Sequence, residues 1–176
     1  MTYNASQGKP AYAAIINRLD RPVSGLVLIA KNKSAAAKYS TLMQKEGGFN
    51  KQYEALICGK LSEPKGTFVD YLKKDGRTNT SAVVPSDDAA NDKEAKLSKL
   101  EYEVISYDEV KDITHVRIHL ITGRHHQIRV QFASRRHPLV GDYKYADNLG
   151  SNHGSGSAHD RSEEHTSELQ SRSDLV

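Results

Sequence analysis

The chain has 176 residues, of which 37% are hydrophobic, and its formal net charge is +3. This length suits one domain with a sizeable core, and the modest charge excludes a protein that holds nucleic acid by charge alone. The single cysteine, Cys58, excludes an internal disulfide, and no apolar run is long enough to span a membrane. The N-terminus is polar and has no signal-peptide core, so we expect a cytoplasmic protein.

Apolar patterning and turn residues predict an α+β fold that is dominated by its sheet. A first helix is expected over 35–45, with Ser34 as its N-cap and Gly47 and Gly48 as its stop. A second helix is expected over 124–134, and 85–94 is expected to be an exposed polar loop. The predicted strands are 25–31, which is apolar enough to be buried, 53–58, 66–72, 80–84, and the hairpin pair 95–107 and 113–121.

One short segment carries most of the chemical information in the first half of the chain. Asp20 lies between Arg18 and Arg21, and Pro22 follows directly. Neighbouring positive charge keeps a carboxylate ionised and also attracts phosphate. The competing interpretation is a surface cluster of ion pairs at a turn, which contributes little to stability. The rest of the sequence favours the first interpretation.

Three blocks of sequence resemble those of the RluA-type pseudouridine synthases. In that family the first block is approximately His-Arg-Leu-Asp, followed by Ser-Gly-Leu; the second is Lys-x-Tyr-x-Ala; and the third is Thr-Gly-Arg-x-His-Gln-Ile-Arg-Val, followed by Pro-x-x-Gly-Asp. Asn17 stands where the family commonly has His. Because Asn can bond a turn but cannot titrate, we expect a structural role there. The matching segments of this chain are 16–25, 51–55, 122–130 and 138–142.

The resemblance implies both a fold and a reaction. The fold would be a mixed, mostly antiparallel sheet flanked by a few helices, and we assign 1–150 to a partial catalytic domain within a fragment of a longer protein. The reaction would convert uridine to pseudouridine in ribosomal or transfer RNA. Breaking the N1–C1′ bond and rejoining the base through C5 needs no redox change and no external group, so no cofactor is expected. The expected partner is structured RNA, and we expect a monomer.

The resemblance also assigns roles to individual residues. Asp20 would be the catalyst, and attack at C1′, addition to C6 and removal of the C2′ proton all remain open. Tyr53 would pack on the base and assist a proton transfer, although a core tyrosine is the alternative. Arg124 would pair with Asp20, or else contact a phosphate at a helix start. Arg18 would fill the space of the flipped nucleotide or hold its phosphate. Further candidate contacts to the RNA backbone, each with a solvated surface position as the alternative, are Arg21, Lys51, His126 and Arg129.

The predicted strand 113–121 has one apolar and one basic face. The basic face, which carries His115, Arg117 and His119, is either an RNA-facing surface or an ordinary solvated one. Four residues along a strand span about 13 Å, so His115 and His119 are too far apart to share a zinc ion. No metal site is expected.

Two other functions remain open. One is an RNA-binding remnant that lacks catalytic activity. The other is a carboxylate-based glycosidase, which would need a second acid, with Glu54 and Asp142 as nominal candidates.

Residues 151–176 are rich in Gly, Ser and His and then charged. The stretch 161–171 resembles the translation of a sequencing-library adapter, and a short charged helix capped by Ser162 is the alternative. We expect this tail to be disordered and without functional meaning. Because 161–176 holds two arginines and four acidic residues, leaving it out raises the net charge to +5, which fits a partner that carries phosphates.

Overall fold

The computed structural model describes residues 12–20, 23–45, 47–146 and 169–172. Within these ranges the chain forms nine strands and four helices. The strands are β1 (Ala14–Ile15), β2 (Val23–Gly25), β3 (Ile29–Ala30), β4 (Gln52–Cys58), β5 (Lys65–Asp75), β6 (Thr80–Val84), β7 (Lys96–Asp108), β8 (Ile113–Leu120) and β9 (Leu169–Arg172). The helices are α1 (Lys33–Gln44), α2 (Ser86–Ala89), α3 (Gln127–Ala133) and α4 (Tyr143–Ala146).

Seven of the strands form one sheet in the order β2-β9-β4-β8-β7-β5-β6. All of its neighbours are antiparallel except β2 and β9, which run parallel. Strands β1 and β3 form a separate antiparallel pair in which Ala14 faces Ala30. The predicted α+β architecture, with a mixed but mostly antiparallel sheet and few helices, is therefore confirmed.

The core lies between the inner face of the sheet and helix α3. Side chains alternate along β8, so that Val116 and Ile118 are fully buried on this face. Phe132 of α3 is also fully buried, and its ring packs edge-on against Phe68 of β5 at a centroid distance of 5.1 Å. This burial fixes α3, and with it the loop that precedes α3, against the sheet.

The outer face of the sheet is laced with cross-strand ion pairs. Glu54 accepts from Arg117 at 3.0 Å and lies 3.2 Å from Nε2 of His115. His119 lies 3.4 Å from Glu101, and Lys65 pairs with Glu103 at 2.8 Å. Because the basic side chains of β8 already have acidic partners, this face favours the interpretation of a solvated surface over an RNA-facing one.

Several predicted elements have different limits in the structure. Helix α1 begins two residues earlier than expected, because Oδ1 of Asn32, rather than Ser34, caps it by accepting from the Ala35 amide at 2.8 Å. The expected buried strand 25–31 is wrong: apart from Gly25, which ends β2, the strand residues there are Ile29–Ala30, and Val27 and Ile29 are exposed.

The two predicted unstructured segments also contain short elements. Helix α2 lies within the predicted loop 85–94, because burial of Ala89 stabilises one turn there. Leu169–Arg172 forms a strand between β2 and β4, so the expected disorder of 151–176 does not hold for these four residues. The alternative helix capped by Ser162 lies outside the described residues.

Two observations bear on membranes and metals. Among the described residues, no helix has the length and apolar character needed to cross a bilayer. The same part of the chain contains no cluster of three or more His, Cys, Asp or Glu side chains that could hold a metal ion.

Candidate active site

The loop that carries Asp20 is closed at its base by Asn17. The Asn17 side chain donates from Nδ2 to the Leu26 carbonyl at 2.9 Å, and its Oδ1 accepts from the Leu28 amide at 2.7 Å. Within the loop, the Val23 amide donates to the Asp20 carbonyl at 3.0 Å. Asn17 therefore acts as a clamp on the loop, which agrees with the structural role predicted for it.

A cleft of about 880 Å³ lies where this loop meets the inner edge of the sheet and the start of α3. Four segments of the chain contribute its walls: the Asp20 loop, the end of α1, the first part of β4 with the residue before it, and the stretch 120–129. Seven of the eight predicted site residues line it. They are Arg18, Asp20, Lys51, Tyr53, Arg124, His126 and Arg129. The eighth, Arg21, lies outside the described residues.

Tyr53 and Lys51 enter the cleft from β4 and the residue before it. Burial, and then the negative charge of Asp20, raise the pKa of the Tyr53 hydroxyl, so the phenol stays protonated at neutral pH. Burial, and then the charge of Arg124, lower the pKa of Lys51. A Cβ at Gly123 would lie 3.4 Å from Nζ of Lys51, so this amine lies against the loop that carries Arg124.

Gln127, which is 2% exposed, holds the loop that presents Arg124. Its Oε1 accepts from the Arg124 amide and from Oγ1 of Thr122, both at 2.9 Å. Its Nε2 donates to the Lys99 carbonyl at 3.1 Å. The amide thus satisfies both of its ends while it joins the loop to β7, as a buried polar group requires.

The guanidinium of Arg124 bonds the protein backbone. Its Nε donates to the carbonyl of Leu97 at 2.9 Å. Asp20 and Arg124 line the same cleft, but no ion pair joins them among the described residues. Pairing between them stays a prediction, and it would need the outer nitrogens of the guanidinium.

His126 lies in the cleft as an uncharged imidazole. Burial, and then the charges of Arg129 and His125, lower its pKa to about 4. Its Nδ1 lies 2.7 Å from the hydroxyl of Tyr145. A neutral imidazole does not attract phosphate by charge, so the predicted contact to the RNA backbone would have to be a neutral hydrogen bond.

Arg129 forms an ion pair within the protein, with Asp142. Its Nε and NH2 donate to the two carboxylate oxygens of Asp142 at 2.7 and 2.6 Å, and the side chains are only 18% and 6% exposed. This bidentate geometry supports a structural role for Arg129 more than a contact to RNA.

Comparison with known proteins identifies the family. A family model described as RNA pseudouridylate synthase matches residues 1–134. The chain belongs to the RNA pseudouridylate synthase family. The resemblance to RluA-type enzymes that the three sequence blocks indicated is thereby confirmed.

Individual pseudouridine synthases show the same likeness over most of this chain. Ribosomal large subunit pseudouridine synthase D of Blochmanniella floridana is 36% identical over 139 residues, which are 78% of this chain and 40% of that protein. The enzyme of that name from Pasteurella multocida is 34% identical over 135 residues, which are 76% of this chain and 38% of that protein. The chain thus spans about two fifths of the length of these curated relatives.

The fold is also similar to a solved pseudouridylate synthase structure. Human RNA Pseudouridylate Synthase Domain Containing 1 superposes with a TM-score of 0.64 and 27% sequence identity. The match covers 76% of this chain and 55% of the human chain.

Sequence reasoning missed several residues that shape or support this cleft. Gln127 was placed only within a motif, and Tyr145, Ser81 and His125 were assigned no role. A signal for Gln127 existed, because a polar side chain amid an apolar helix face has to find buried partners. The pairing of Tyr145 with Ser81 joins positions 64 residues apart, and no local pattern predicts it.

Proposed function

We propose that this chain is the catalytic part of an RNA pseudouridine synthase that acts on uridine in large-subunit ribosomal RNA. The observation that carries the proposal is that Asp20, Tyr53 and Arg124, from three separate segments, line one cleft. The names of the relatives support the ribosomal substrate. Transfer RNA is the other substrate class that the sequence predicts, and the cytoplasmic location stays a prediction.

The proposed catalyst is Asp20. The isomerisation breaks the N1–C1′ bond, rotates the uracil and forms a C5–C1′ bond, while C5 loses a proton and N1 gains one. A carboxylate can serve as the nucleophile at C1′ or C6, or as the base at C2′. No other group has to enter or leave.

Tyr53 and the cationic side chains of the cleft would bind the flipped nucleotide and the phosphates beside it. Because its pKa is raised by burial and by Asp20, the Tyr53 phenol is a neutral group that can stack on uracil and donate a proton or hydrogen bond. Arg18, Lys51 and Arg124 give the cleft positive charge for the phosphates on either side of the target. Extruding the base requires unstacking, and these contacts would offset that cost.

Neither of the two carboxylates named as a second acid for the glycosidase alternative is free to act. Glu54 lies on the outer face of the sheet and is bound to Arg117, while Asp142 is bound by Arg129 through both oxygens. Neither carboxylate is free to face a sugar across from Asp20, as a pair of catalytic acids would have to. The RNA-binding remnant remains the alternative that experiment must separate.

The test is turnover on unmodified RNA. The full chain is incubated with transcripts of large-subunit ribosomal RNA and of transfer RNA, and pseudouridine is mapped by reverse-transcription stops after carbodiimide treatment. The wild-type chain should produce new stops, and Asp20→Asn should remove them while keeping RNA affinity. Asp87→Asn, on the exposed helix α2, is the matched control and should retain full activity.

Three results would reject the proposal. RNA binding without stops by the wild-type chain would support the inactive remnant. Stops that persist in Asp20→Asn at the wild-type rate would remove Asp20 from catalysis. Release of free uracil in place of isomerisation would support the glycosidase alternative.

A further inference from the structure

A buried hydroxyl behind the cleft meets the imidazole of His126. Tyr145, which is 4% exposed, accepts a hydrogen bond from the Ser81 amide at 2.9 Å. The same hydroxyl lies 2.7 Å from Nδ1 of His126. Tyr145 does not line the cleft, whereas His126 does, so the tyrosine hydroxyl reaches the cleft through the histidine.

The hydrogen-bond pattern favours one direction for the contact between Tyr145 and His126. A phenol has one proton to donate, and within the described residues the acceptor in reach of the Tyr145 hydroxyl is Nδ1 of His126. The hydroxyl oxygen already accepts from the N–H of Ser81. When Tyr145 donates to Nδ1, the ring proton of a neutral imidazole is on Nε2.

The backbone at His126 supports a positional role. Its φ is 52°, a left-handed conformation that costs a non-glycine residue free energy. The ring is held between two neighbours, because it stacks on His125 at a centroid distance of 3.8 Å and meets Tyr145 nearly edge-on at 5.6 Å. His125 is itself fixed by Oγ of Ser81 at 2.9 Å. The imidazole is thus held in one orientation.

Charged groups on several sides act on the same ring. Arg129, His125 and Lys144 disfavour its protonation, and Asp20 favours it. Burial has the largest effect and, with the three basic groups, keeps His126 uncharged at neutral pH. His126 therefore offers an uncharged N–H donor, and it lies close enough to Asp20 for the carboxylate to affect its protonation.

We propose that Tyr145 is a positioning residue that holds His126 with its Nε2–H available in the cleft, as a neutral donor to an oxygen of the bound nucleotide. This inference rests on the proposed function for its substrate, but the state of the imidazole can be tested without turnover. A neutral donor beside Asp20 binds a carbonyl or ribose oxygen without neutralising the carboxylate that the reaction needs.

The first test observes the ring directly. In the full chain labelled with ¹⁵N-histidine, two-bond ¹H–¹⁵N spectra should show His126 protonated at Nε2 and unprotonated at Nδ1 at neutral pH. In Tyr145→Phe, which deletes only the hydroxyl, the titration midpoint of His126 should rise, because Nδ1 loses its donor. Tyr143→Phe, on the same short helix but 79% exposed, is the matched control and should leave the midpoint unchanged.

The second test follows turnover on ribosomal RNA. Tyr145→Phe should lower kcat about tenfold at unchanged KM, the size expected for one lost neutral hydrogen bond. His126→Asn keeps a side chain that tolerates the left-handed conformation. Adding Tyr145→Phe to His126→Asn should lower kcat no further, because the hydroxyl acts through the imidazole.

Distinct results would overturn the inference. A proton on Nδ1 of the wild-type ring, or an unchanged midpoint in Tyr145→Phe, would show that the hydroxyl does not hold this tautomer. If Tyr145→Phe lowers kcat as much in the His126→Asn background as it does in the wild-type background, Tyr145 acts elsewhere. If no RNA is modified at all, the proposed function fails while the spectra still decide the role of Tyr145.

Discussion

Asn17 accepts a hydrogen bond from the amide of Leu28 on its side-chain oxygen at 2.7 Å, across the ten residues that carry Asp20 around its loop. The same side chain donates to Leu26. The side-chain amide of Asn17 thus makes two hydrogen bonds in place of backbone ones, at the point where the strands β1 and β3 diverge. The position of Asp20 depends on this side chain.

We therefore expect Asn17→Ala to reduce turnover more than stability. Loss of two hydrogen bonds should lower the free energy of unfolding by about 1–3 kcal/mol, while kcat should fall tenfold or more because Asp20 is no longer held. Urea denaturation and the carbodiimide assay measure the two effects. Asn91→Ala, at an exposed site, is the control, and equal losses in both variants would contradict the clamp.

Asp142→Asn should destabilise the protein strongly. The substitution leaves the guanidinium of Arg129 half-buried without its carboxylate, and removal of one partner from a buried pair typically costs about 3–5 kcal/mol. Glu103→Gln, in an exposed pair with Lys65, should have a much smaller effect on stability. Urea midpoints compare the two, and similar shifts would contradict the structural role of the Arg129 pair.

Acid should destabilise the fold through His126. Its pKa is about 4 when folded and 6.5 in the unfolded chain, so between these values the unfolded chain binds a proton that the folded protein refuses. Stability is therefore retained above pH 6.5 and lost as the pH falls towards 4. His125, whose pKa burial also lowers, acts in the same direction.

His126→Gln should flatten this acid dependence. Urea midpoints measured from pH 8 to pH 4 would fall less steeply in the variant. At pH 8 the histidine is neutral in both states, so the difference there reports only lost contacts and serves as the internal control. An identical slope in both proteins would show that another group governs the acid response.

Tyr53→Phe should separate binding from catalysis. The ring that would stack on uracil remains, so RNA affinity should stay within about twofold, while loss of a proton-transfer group typically lowers kcat by about 10²–10⁴-fold. Because the pKa of Tyr53 is raised, wild-type activity should show no loss from this phenol below pH 10. Tyr71→Phe, on the outer face, should behave as wild type; a Tyr53 variant with full turnover would exclude the hydroxyl from the chemistry.

Gly66→Ala should disturb the core through Tyr102. A Cβ at Gly66 would lie 2.6 Å from the Tyr102 ring, which must then move against Phe68. Overpacking of this kind costs about 1–3 kcal/mol. Gly76→Ala meets no atom within 4 Å and should leave the melting temperature nearly unchanged. Equal melting temperatures for the two variants would contradict the close approach of Tyr102.

The sequence predicted the sheet more accurately than the segments around Asp20. Strands β4, β6, β7 and β8 show period-2 alternation because one face packs on α3, and their limits agree with prediction within about two residues. The apolar run after Gly25 has the composition of a buried strand, yet Val27 and Ile29 are exposed. Composition reports how apolar a segment is, but what covers it is a tertiary property.

The sequence predicts which residues line the cleft, but it does not predict the hydrogen bonds that hold them in place. The sequence blocks indicated that Asp20, Tyr53 and Arg124 belong together, and all three line the cleft. The hydrogen bonds of Gln127 and Tyr145 depend on how α3 and α4 dock, which long-range packing decides. For the same reason the bond from Arg124 to the Leu97 carbonyl had no signal in the sequence.

The ion pairs on the outer face of the sheet give the two sides of the molecule a different balance of charge. Glu54, Glu101 and Glu103 balance the cations around them, so this side offers a polyanion little attraction. Under the proposed function, the attraction for RNA would come from the cleft side, where Arg18, Lys51 and Arg124 lie. An RNA strand would then be turned towards Asp20 before any contact forms, and salt would slow that approach.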